Sequence, residues 1–154
     1  MVKKQECFSD SETTTQKFAK KLSSLAKRGD VFALYGTLGV GKSVFAREFI
    51  KTLTGETEVP SPTFTIVQTY DAQDFEIYHF DMYRLKSPEE VFELNFEEAV
   101  GEGVCLIEWP EKIGGYIPSK AIKIYIEHTQ NGRKISIEFA TQEQEDRFLS
   151  VWEK

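Results

Sequence analysis

The chain has 154 residues, of which 40% are hydrophobic and 29% charged, and its formal net charge is −6. This length suits one domain spanning residues 1–154, long enough to bury about 68–70% of the surface of the unfolded chain. The acidic balance argues against broad electrostatic affinity for nucleic acid, which needs clustered lysine and arginine. The net charge does not exclude a local basic patch or a protein partner that holds the RNA.

Neither a signal peptide nor a membrane span is expected. The opening segment MVKKQECFSDSE lacks the apolar stretch of a signal peptide, and no apolar run approaches the length of a transmembrane helix. The two cysteines, Cys7 and Cys105, do not make a disulfide framework. Cys105 lies in an apolar run, as expected of a small core residue. These features together favour a cytoplasmic protein.

Residues 9–30 predict an amphipathic helix, because apolar residues recur at i, i+4 and i+7. Ser9 and Glu12 match a capping box at its start, and Gly29 is a plausible stop. The run VFALY at 31–35 then predicts a strand buried on both faces, since it is continuously apolar.

Further along the chain, helices and strands continue to alternate. A helix is predicted over 42–53, then a proline-rich loop that becomes a strand, a turn, and a second strand over 75–81. The segment 87–100 predicts one helix with Ser87 as N-cap, followed by a buried strand over 103–109. Two alternating strands flank a hairpin turn at Asn131-Gly132, and a final helix begins with a Thr141/Gln144 capping box.

This order predicts an α/β fold with helices on both faces of a central sheet. We expect a three-layer α/β/α sandwich. Its sheet should be mostly parallel and should end in the C-terminal antiparallel hairpin.

Residues 36–43, GTLGVGKS, fit the phosphate-binding pattern G-x-x-x-x-G-K-[ST] between a predicted strand and a predicted helix. Glycines let the backbone curl so that successive N–H groups face one concavity, and the helix adds its positive N-terminal end. Lys42 would reach the β- and γ-phosphates, and the Ser43 hydroxyl would bind Mg²⁺. The predicted nucleotide-binding residues are Gly36, Thr37, Leu38, Gly39, Val40, Gly41, Lys42, Ser43 and Val44.

Hydrolysis also needs a carboxylate at a neighbouring strand end, to hold Mg²⁺ or to orient the attacking water. Asp81 ends one predicted strand and Glu108 another, and both should meet at the C-terminal edge of the sheet. Spacing alone does not assign the two roles. His79 is predicted to be a packed or hydrogen-bonded residue, since no second histidine or cysteine stands at the spacing of a structural zinc site. Thr63 lies in the loop SPTF, where a hydroxyl could sense the γ-phosphate.

Four motifs in this order, GTLGVGKS, SPTF, HFDMYRL and IEWPE, make residues 10–140 resemble the TsaE (YjeE) family of bacterial P-loop ATPases. The resemblance implies that the expected α/β/α sandwich is P-loop NTPase-like. It also implies a role in making threonylcarbamoyladenosine (t6A) on tRNA. It implies an ATP hydrolysis cycle that permits repeated turnover of a TsaB–TsaD transferase, with the tRNA held mainly by those partners.

The resemblance also carries residue roles. Lys42 and Ser43 match the phosphate and Mg²⁺ positions, and many members have threonine where this chain has Ser43. Asp81 and Glu108 match required acidic positions, so Lys42, Asp81 and Glu108 are the predicted catalytic residues. Ser43 and Glu108 are the predicted metal ligands. Thr63 falls in the family's switch-like loop, and Trp109 matches the family's tryptophan beside the acidic residue. Both are predicted to be linked to switching or to partners.

Other functions share the phosphate-binding loop. A small-molecule kinase is the alternative, but it usually needs an arginine-bearing lid, and no insertion is long enough to form one. A GTPase would read guanine through an Asn-Lys-x-Asp string, which does not occur. A nucleotide-dependent interaction module with incidental hydrolysis also remains. Arg84 is a candidate arginine finger, with a surface salt bridge as the competing interpretation.

Overall fold

The computed structural model describes residues 3–37 and 41–151. Within these residues, seven strands form one sheet, and helices cover both of its faces. The strands are β1 Lys3–Ser9, β2 Val31–Tyr35, β3 Val67–Asp71, β4 Glu76–Asp81, β5 Val104–Glu108, β6 Ile122–Thr129 and β7 Gly132–Phe139. The α-helices are α1 Glu12–Leu25, α2 Lys42–Thr54, α3 Phe96–Glu102 and α4 Gln142–Arg147.

The strand order across the sheet is β1-β7-β6-β2-β5-β4-β3. The four central strands, β6, β2, β5 and β4, run parallel, whereas β1, β7 and β3 each pair antiparallel with a neighbour. The predicted α/β fold with its C-terminal β6–β7 hairpin is confirmed. The parallel part is smaller than predicted, because it is confined to β6, β2, β5 and β4. Of these, β2 leads into the phosphate-binding loop, and β4 and β5 end in the acidic residues.

Strand β1 was not predicted. It forms the edge of the sheet and pairs with β7 from Lys3↔Phe139 to Ser9↔Arg133. Its sequence, KKQECFS, gives little apolar signal, because Cys7 and Phe8 are its only apolar residues. Phe8 is 52% exposed, and Cys7 packs against the larger core. The pairing depends on Gly132, where an added Cβ would lie 2.3 Å from the Ser9 carbonyl oxygen.

Helix α1 begins two residues later than a Ser9 cap would require. Ser11 is the N-cap, and its hydroxyl accepts a hydrogen bond from the backbone N–H of Thr14. Ser9 instead donates to the Ser11 carbonyl oxygen and shares a hydrogen bond with Thr15, so the predicted Ser9/Glu12 capping box is wrong. The helix ends at Leu25, before the predicted stop at Gly29.

The predicted helix over residues 87–100 is broken in two. A 3₁₀ helix, Pro88–Leu94, is followed by α3, and Asn95 between them has a left-handed backbone with φ 55°. Asparagine tolerates this conformation better than most residues, which is why the chain can turn here without glycine. The Thr141/Gln144 capping box at the start of α4 is confirmed.

Two hydrophobic cores lie on opposite faces of the sheet. The larger packs α1 and α2 on the sheet, with Phe32, Phe49 and Phe148 in edge-to-face contact. The smaller packs α3 on the other face around Phe80 and Phe96. Each fully buried aromatic side chain contributes about 1.5–3 kcal/mol relative to an exposed one.

Both cysteines are free thiols, and Cys105 is fully buried in the smaller core, as predicted. Burial raises the pKa of the Cys105 thiol to about 12, so it packs as a neutral side chain. Across residues 3–37 and 41–151, no helix combines the length and the apolar character needed to cross a bilayer.

A buried ion pair joins α4 to the start of β2. The two terminal guanidinium nitrogens of Arg147, Nη1 and Nη2, donate to the carboxylate of Asp30 at 2.6 and 2.8 Å. Nη1 also donates to the Leu25 carbonyl oxygen. Asp30 in turn accepts from the backbone N–H of Lys27. The pair anchors the C-terminal helix next to the strand that leads into the phosphate-binding loop.

Replacing Arg147 with methionine should lower the free energy of unfolding by about 3–5 kcal/mol, because the Asp30 carboxylate would stay buried without its cation. Methionine keeps the apolar stem of the side chain. Urea unfolding followed by circular dichroism measures the change.

Lys134→Met is the matched control. Lys134 pairs with Glu6 and Glu127 at 3.5 and 3.6 Å, but its side chain is 45% exposed, and such surface pairs contribute about 0–1 kcal/mol. Equal losses in the Arg147 and Lys134 variants would contradict the assignment of the buried pair as a structural anchor.

Candidate functional site

The parallel central strands bring their C-terminal ends to one edge of the sheet. Asp81 at the end of β4 is in register with Glu108 at the end of β5, and Glu108 is in register with Leu34 of β2. The chain leaves β2 at Tyr35 and enters the phosphate-binding loop directly. The edge therefore collects the loop and both acidic residues, as the sequence predicted.

A cavity of about 210 Å³ lies at this edge. Eight of the predicted site residues line it: Gly41, Lys42, Ser43, Val44, Thr63, Asp81, Glu108 and Trp109. Ser61 completes its described lining. The predicted nucleotide-binding residues Leu38, Gly39 and Val40 lie outside the residues that the structure describes.

The two glycines at the ends of the loop have backbone conformations that side chains disfavour. Gly36 has φ 151° and Gly41 has φ 118°. Gly41 is the N-cap of α2, and its carbonyl oxygen accepts the first helical hydrogen bond, from the N–H of Phe45. The N-terminal end of this helix therefore faces the cavity with the partial positive charge that favours anions.

Lys42 is nearly buried, with 5% of its surface exposed, and is held from two sides. Its Nζ donates to the Gly36 carbonyl oxygen at 2.7 Å and lies 3.5 Å from the centre of a Trp109 ring. Burial lowers the pKa of Lys42, while the carboxylates of Glu108, Glu111 and others act in the opposite direction. The ammonium group is thus placed over an aromatic face, which attracts a cation.

Trp109 reaches Lys42 because its own backbone is left-handed, with φ 57°, directly after β5. A bulky residue in this region is rare and costs of order 1–3 kcal/mol, so the surrounding structure must hold it there. The ring of Tyr83 packs against the indole at 4.9 Å between centroids. Trp109 therefore forms one wall of the cavity.

Glu108 connects the phosphate-binding loop to the interior of the sheet. One carboxylate oxygen, Oε1, accepts a hydrogen bond from the Ser43 hydroxyl at 3.3 Å. The other, Oε2, lies 2.7 Å from Nε2 of His79, and both side chains are almost fully buried. The prediction that His79 is hydrogen-bonded is confirmed, but its partner was not foreseen.

Asp81 is tied to the SPTF loop. Its Oδ2 accepts from the Thr63 hydroxyl at 3.1 Å, and its Oδ1 accepts from the backbone N–H of Tyr83. The backbone N–H of Asp81 also donates to the carbonyl oxygen of Ile66, whose φ of 71° is unusual for a β-branched residue. Side chain and backbone together hold Thr63 beside the cavity.

Within residues 3–37 and 41–151, Arg84 forms a cation–π contact and no salt bridge. Its guanidinium lies 4.5 Å above the ring of Phe64, the residue after Thr63, and Phe64 is 80% exposed. This stacked pair bridges the SPTF loop and the segment after β4. Arg84 does not line the cavity, so its role as an arginine finger stays a prediction.

The oxygen atoms at the cavity fit Mg²⁺ in kind, because hydroxyl and carboxylate oxygens are the ligands it prefers. Among residues 3–37 and 41–151, no group of three or more acidic, histidine or cysteine side chains forms a ready-made metal site. Mg²⁺ commonly binds through one or two carboxylates together with water and substrate phosphates. Ser43 and Glu108 match that sparse arrangement.

Two further cavities adjoin the first. One of about 280 Å³ shares Gly41 and Val44 with it and lies between the starts of α1 and β7. Another of about 700 Å³ shares Trp109 with it and lies between the ends of β2 and β6. Gly36 and Thr37 line this larger cavity, so these two predicted nucleotide-binding residues lie beside the cavity of about 210 Å³.

Sequence reasoning missed His79 as part of the site. The signal was available, because His79 precedes Asp81 by two positions in a strand, and residues two apart face the same side of a sheet.

The chain is similar to proteins of one known family. The family model described as "Threonylcarbamoyl adenosine biosynthesis protein TsaE" matches residues 9–135. The tRNA threonylcarbamoyladenosine biosynthesis protein TsaE of Rickettsia conorii is 46% identical over 127 residues, covering 82% of this chain and 73% of that protein. The protein of the same name from Bacillus subtilis is 39% identical over 112 residues, covering 73% of this chain and 70% of that protein.

Similarity extends to a solved structure, the crystal structure of Bacillus subtilis YdiB. The two folds agree with a TM-score of 0.79 at 31% identity, over 98% of this chain and 95% of that one. The match in sequence covers the loop, both acidic strand ends and Trp109, and the match in fold covers nearly the whole chain. The chain therefore belongs to the TsaE family of threonylcarbamoyladenosine biosynthesis proteins.

Proposed function

We propose that this protein binds and hydrolyses ATP in the cytoplasm as the component of the t6A machinery that drives repeated turnover of a TsaB–TsaD transferase. One observation carries the ATPase proposal. A lysine and a serine at a helix N-terminus share a single cavity with two carboxylates from neighbouring parallel strands. Family membership supports the link to tRNA modification.

In this proposal the loop and the first turn of α2 hold the triphosphate. Lys42 exchanges the Gly36 carbonyl oxygen and the Trp109 ring for phosphate oxygens. Ser43 and Glu108 hold Mg²⁺, which neutralises negative charge on the β- and γ-phosphates when it is bound. Because Lys42, Asp81 and Glu108 are each at most 5% exposed, their charges act in a lower dielectric than water, which strengthens their electrostatic interactions.

The two carboxylates take different roles in this proposal. Glu108 faces Ser43 and is therefore the carboxylate that we assign as a metal ligand. Asp81 faces Thr63 and the SPTF loop, so it is the better placed residue to orient the attacking water. Thr63 reports the presence of the γ-phosphate by keeping or losing its hydrogen bond to Asp81.

The adenosine should occupy the cavity of about 280 Å³ on the Val44 side. Lys42 marks the β- and γ-phosphates, so the α-phosphate and the nucleoside must continue in the opposite direction, past the helix start. Gly41 and Val44 line both cavities and make the two continuous.

Photolabelling with 8-azido-ATP and peptide mapping tests this placement. We expect the label in residues 9–15 or 132–133, competed by unlabelled ATP. Label concentrated in residues 125–128, which line the largest cavity, would contradict it.

Ser43→Ala should weaken Mg²⁺-dependent ATP binding about tenfold or more, because one oxygen ligand is lost, while Ser43→Thr should retain it. Lys42→Met should weaken binding with and without Mg²⁺, because the ammonium group is lost in both conditions. Isothermal titration with ATP, with GTP as competitor, measures these changes. If the wild-type protein binds neither nucleotide, the proposed function is wrong.

Asp81→Asn should keep ATP binding, and Glu108→Gln should keep the ATP binding measured without Mg²⁺. Both should lower phosphate release about 100-fold or more, because each removes a carboxylate charge used in the reaction. Asp74→Asn, in the exposed turn between β3 and β4, is the control. We expect the wild-type rate without partners to be slow and to change on adding TsaB and TsaD.

The same variants separate an ATPase from an interaction module when t6A is measured on tRNA with TsaB and TsaD. Glu108→Gln should permit little repeated turnover. Full repeated turnover with this variant would favour a module whose hydrolysis is incidental. Phosphate release without any acceptor distinguishes the ATPase from the alternative, a small-molecule kinase.

A further inference from the structure

His79 lies inside the sheet beneath the cavity and takes no part in the function proposed above. It belongs to β4, two residues before Asp81, and only 1% of its surface is exposed. In the β4–β5 register it pairs with Leu106, so Glu108 is its diagonal neighbour on the adjacent strand. Diagonal neighbours are within reach of long side chains.

The bond between His79 and Glu108 is short and shielded from water. Nε2 of His79 lies 2.7 Å from Oε2 of Glu108, with side-chain exposures of 1% and 4%. A carboxylate oxygen only accepts, so Nε2 must carry a proton and donate it. Hydrogen bonds to a charged group in such surroundings are among the stronger ones in proteins.

The other ring nitrogen supports this assignment. Nδ1 of His79 is buried and has no hydrogen-bond partner among the described residues. A buried N–H without a partner is costly, whereas an unpaired acceptor costs less. The structure therefore favours the tautomer with its proton on Nε2, the atom that faces Glu108.

The two oxygens of Glu108 consequently point to different partners. His79 holds Oε2 toward the interior, and this leaves Oε1 beside the Ser43 hydroxyl at the cavity. A glutamate side chain has three rotatable bonds, and a single hydroxyl contact at 3.3 Å restrains it weakly. The histidine supplies the shorter of the two contacts.

We propose that His79 is a positioning residue that fixes the Glu108 carboxylate so that Oε1 faces Ser43 and the metal position. This inference rests on the proposed function, since it assigns the metal role to Ser43 and Glu108. Residues that hydrogen-bond to metal ligands typically change metal affinity or activity 10–100-fold when they are replaced.

Two variants test the role. His79→Leu introduces an apolar side chain of moderate size and removes the hydrogen-bond donor. His79→Gln places an amide N–H₂ donor near the position of Nε2. Mn²⁺ serves as the probe ion, and its binding is measured by electron paramagnetic resonance in the presence of a non-hydrolysable ATP analogue.

We expect His79→Leu to bind Mn²⁺ at least tenfold more weakly, with its affinity for the analogue in EDTA changed less than twofold. His79→Gln should stay within about threefold of the wild type. A residue that only stabilised the fold would lower the melting temperature without this metal-specific loss. Equal Mn²⁺ affinity in the wild-type and His79→Leu proteins, or equal losses in the Leu and Gln variants, would overturn the proposal.

A measurement on the wild-type protein decides the matter even if His79→Leu does not fold. The chain has two histidines, so long-range ¹H–¹⁵N spectra of the imidazoles are simple, and His128→Gln assigns them. We expect His79 to be protonated at Nε2, with its signals changed by Glu108→Gln. A proton on Nδ1 alone would overturn the proposal.

These outcomes separate the inference from the proposed function. A wild-type protein that bound no nucleotide would overturn the proposed function and, with it, the role of this bond at a metal site. Normal ATP binding together with unchanged Mn²⁺ affinity in His79→Leu would overturn the positioning role alone.

Discussion

The candidate site depends on one constraint, the parallel hydrogen-bonded register of β2, β5 and β4. This register places Asp81 opposite Glu108 and brings Glu108 level with the last residues of β2, from which the phosphate-binding loop begins. Because backbone hydrogen bonds fix this register, the Cα atoms of Asp81 and Glu108 keep their positions relative to the start of the loop. The cores on both faces of the sheet bury these strands almost completely, and a slip of one residue would turn each acidic side chain to the opposite face.

The same register forces charged groups into places that water reaches poorly. Lys42, Asp81 and Glu108 are each at most 5% exposed, and a buried charge is costly unless hydrogen bonds or opposite charges offset it. Each has such partners: Lys42 has the Gly36 carbonyl oxygen and Trp109, Glu108 has His79 and Ser43, and Asp81 has the Thr63 hydroxyl and the backbone N–H of Tyr83. The Asp30–Arg147 pair shows the same principle at the opposite end of β2, where the purpose is structural. Function and stability thus use the same chemistry at the two ends of one strand.

Much of this arrangement could be predicted from sequence because it depends on local patterns. The glycine loop is a contiguous motif, and the apolar runs that end in Asp81 and Glu108 show which strands reach the same edge. Other features depend on contacts between distant segments and leave little trace in the sequence. Strand β1 is an edge held by its backbone, and the left-handed turn at Asn95 divides a segment with continuous helical character. The contact of Lys42 with Trp109 also depends on a backbone conformation that no local pattern indicates.

The resting position of Lys42 has a consequence for selectivity. Its ammonium group already has a carbonyl oxygen and an aromatic face as partners, so an incoming anion must be a better partner than both together. A lone inorganic phosphate offers few additional contacts with which to compete. If the loop binds a polyphosphate as proposed, such a chain would gain further hydrogen bonds to backbone N–H groups at the same time, and these would offset the loss of the original contacts. The partners that Lys42 already has would then set a threshold that disfavours small, abundant anions relative to nucleotides.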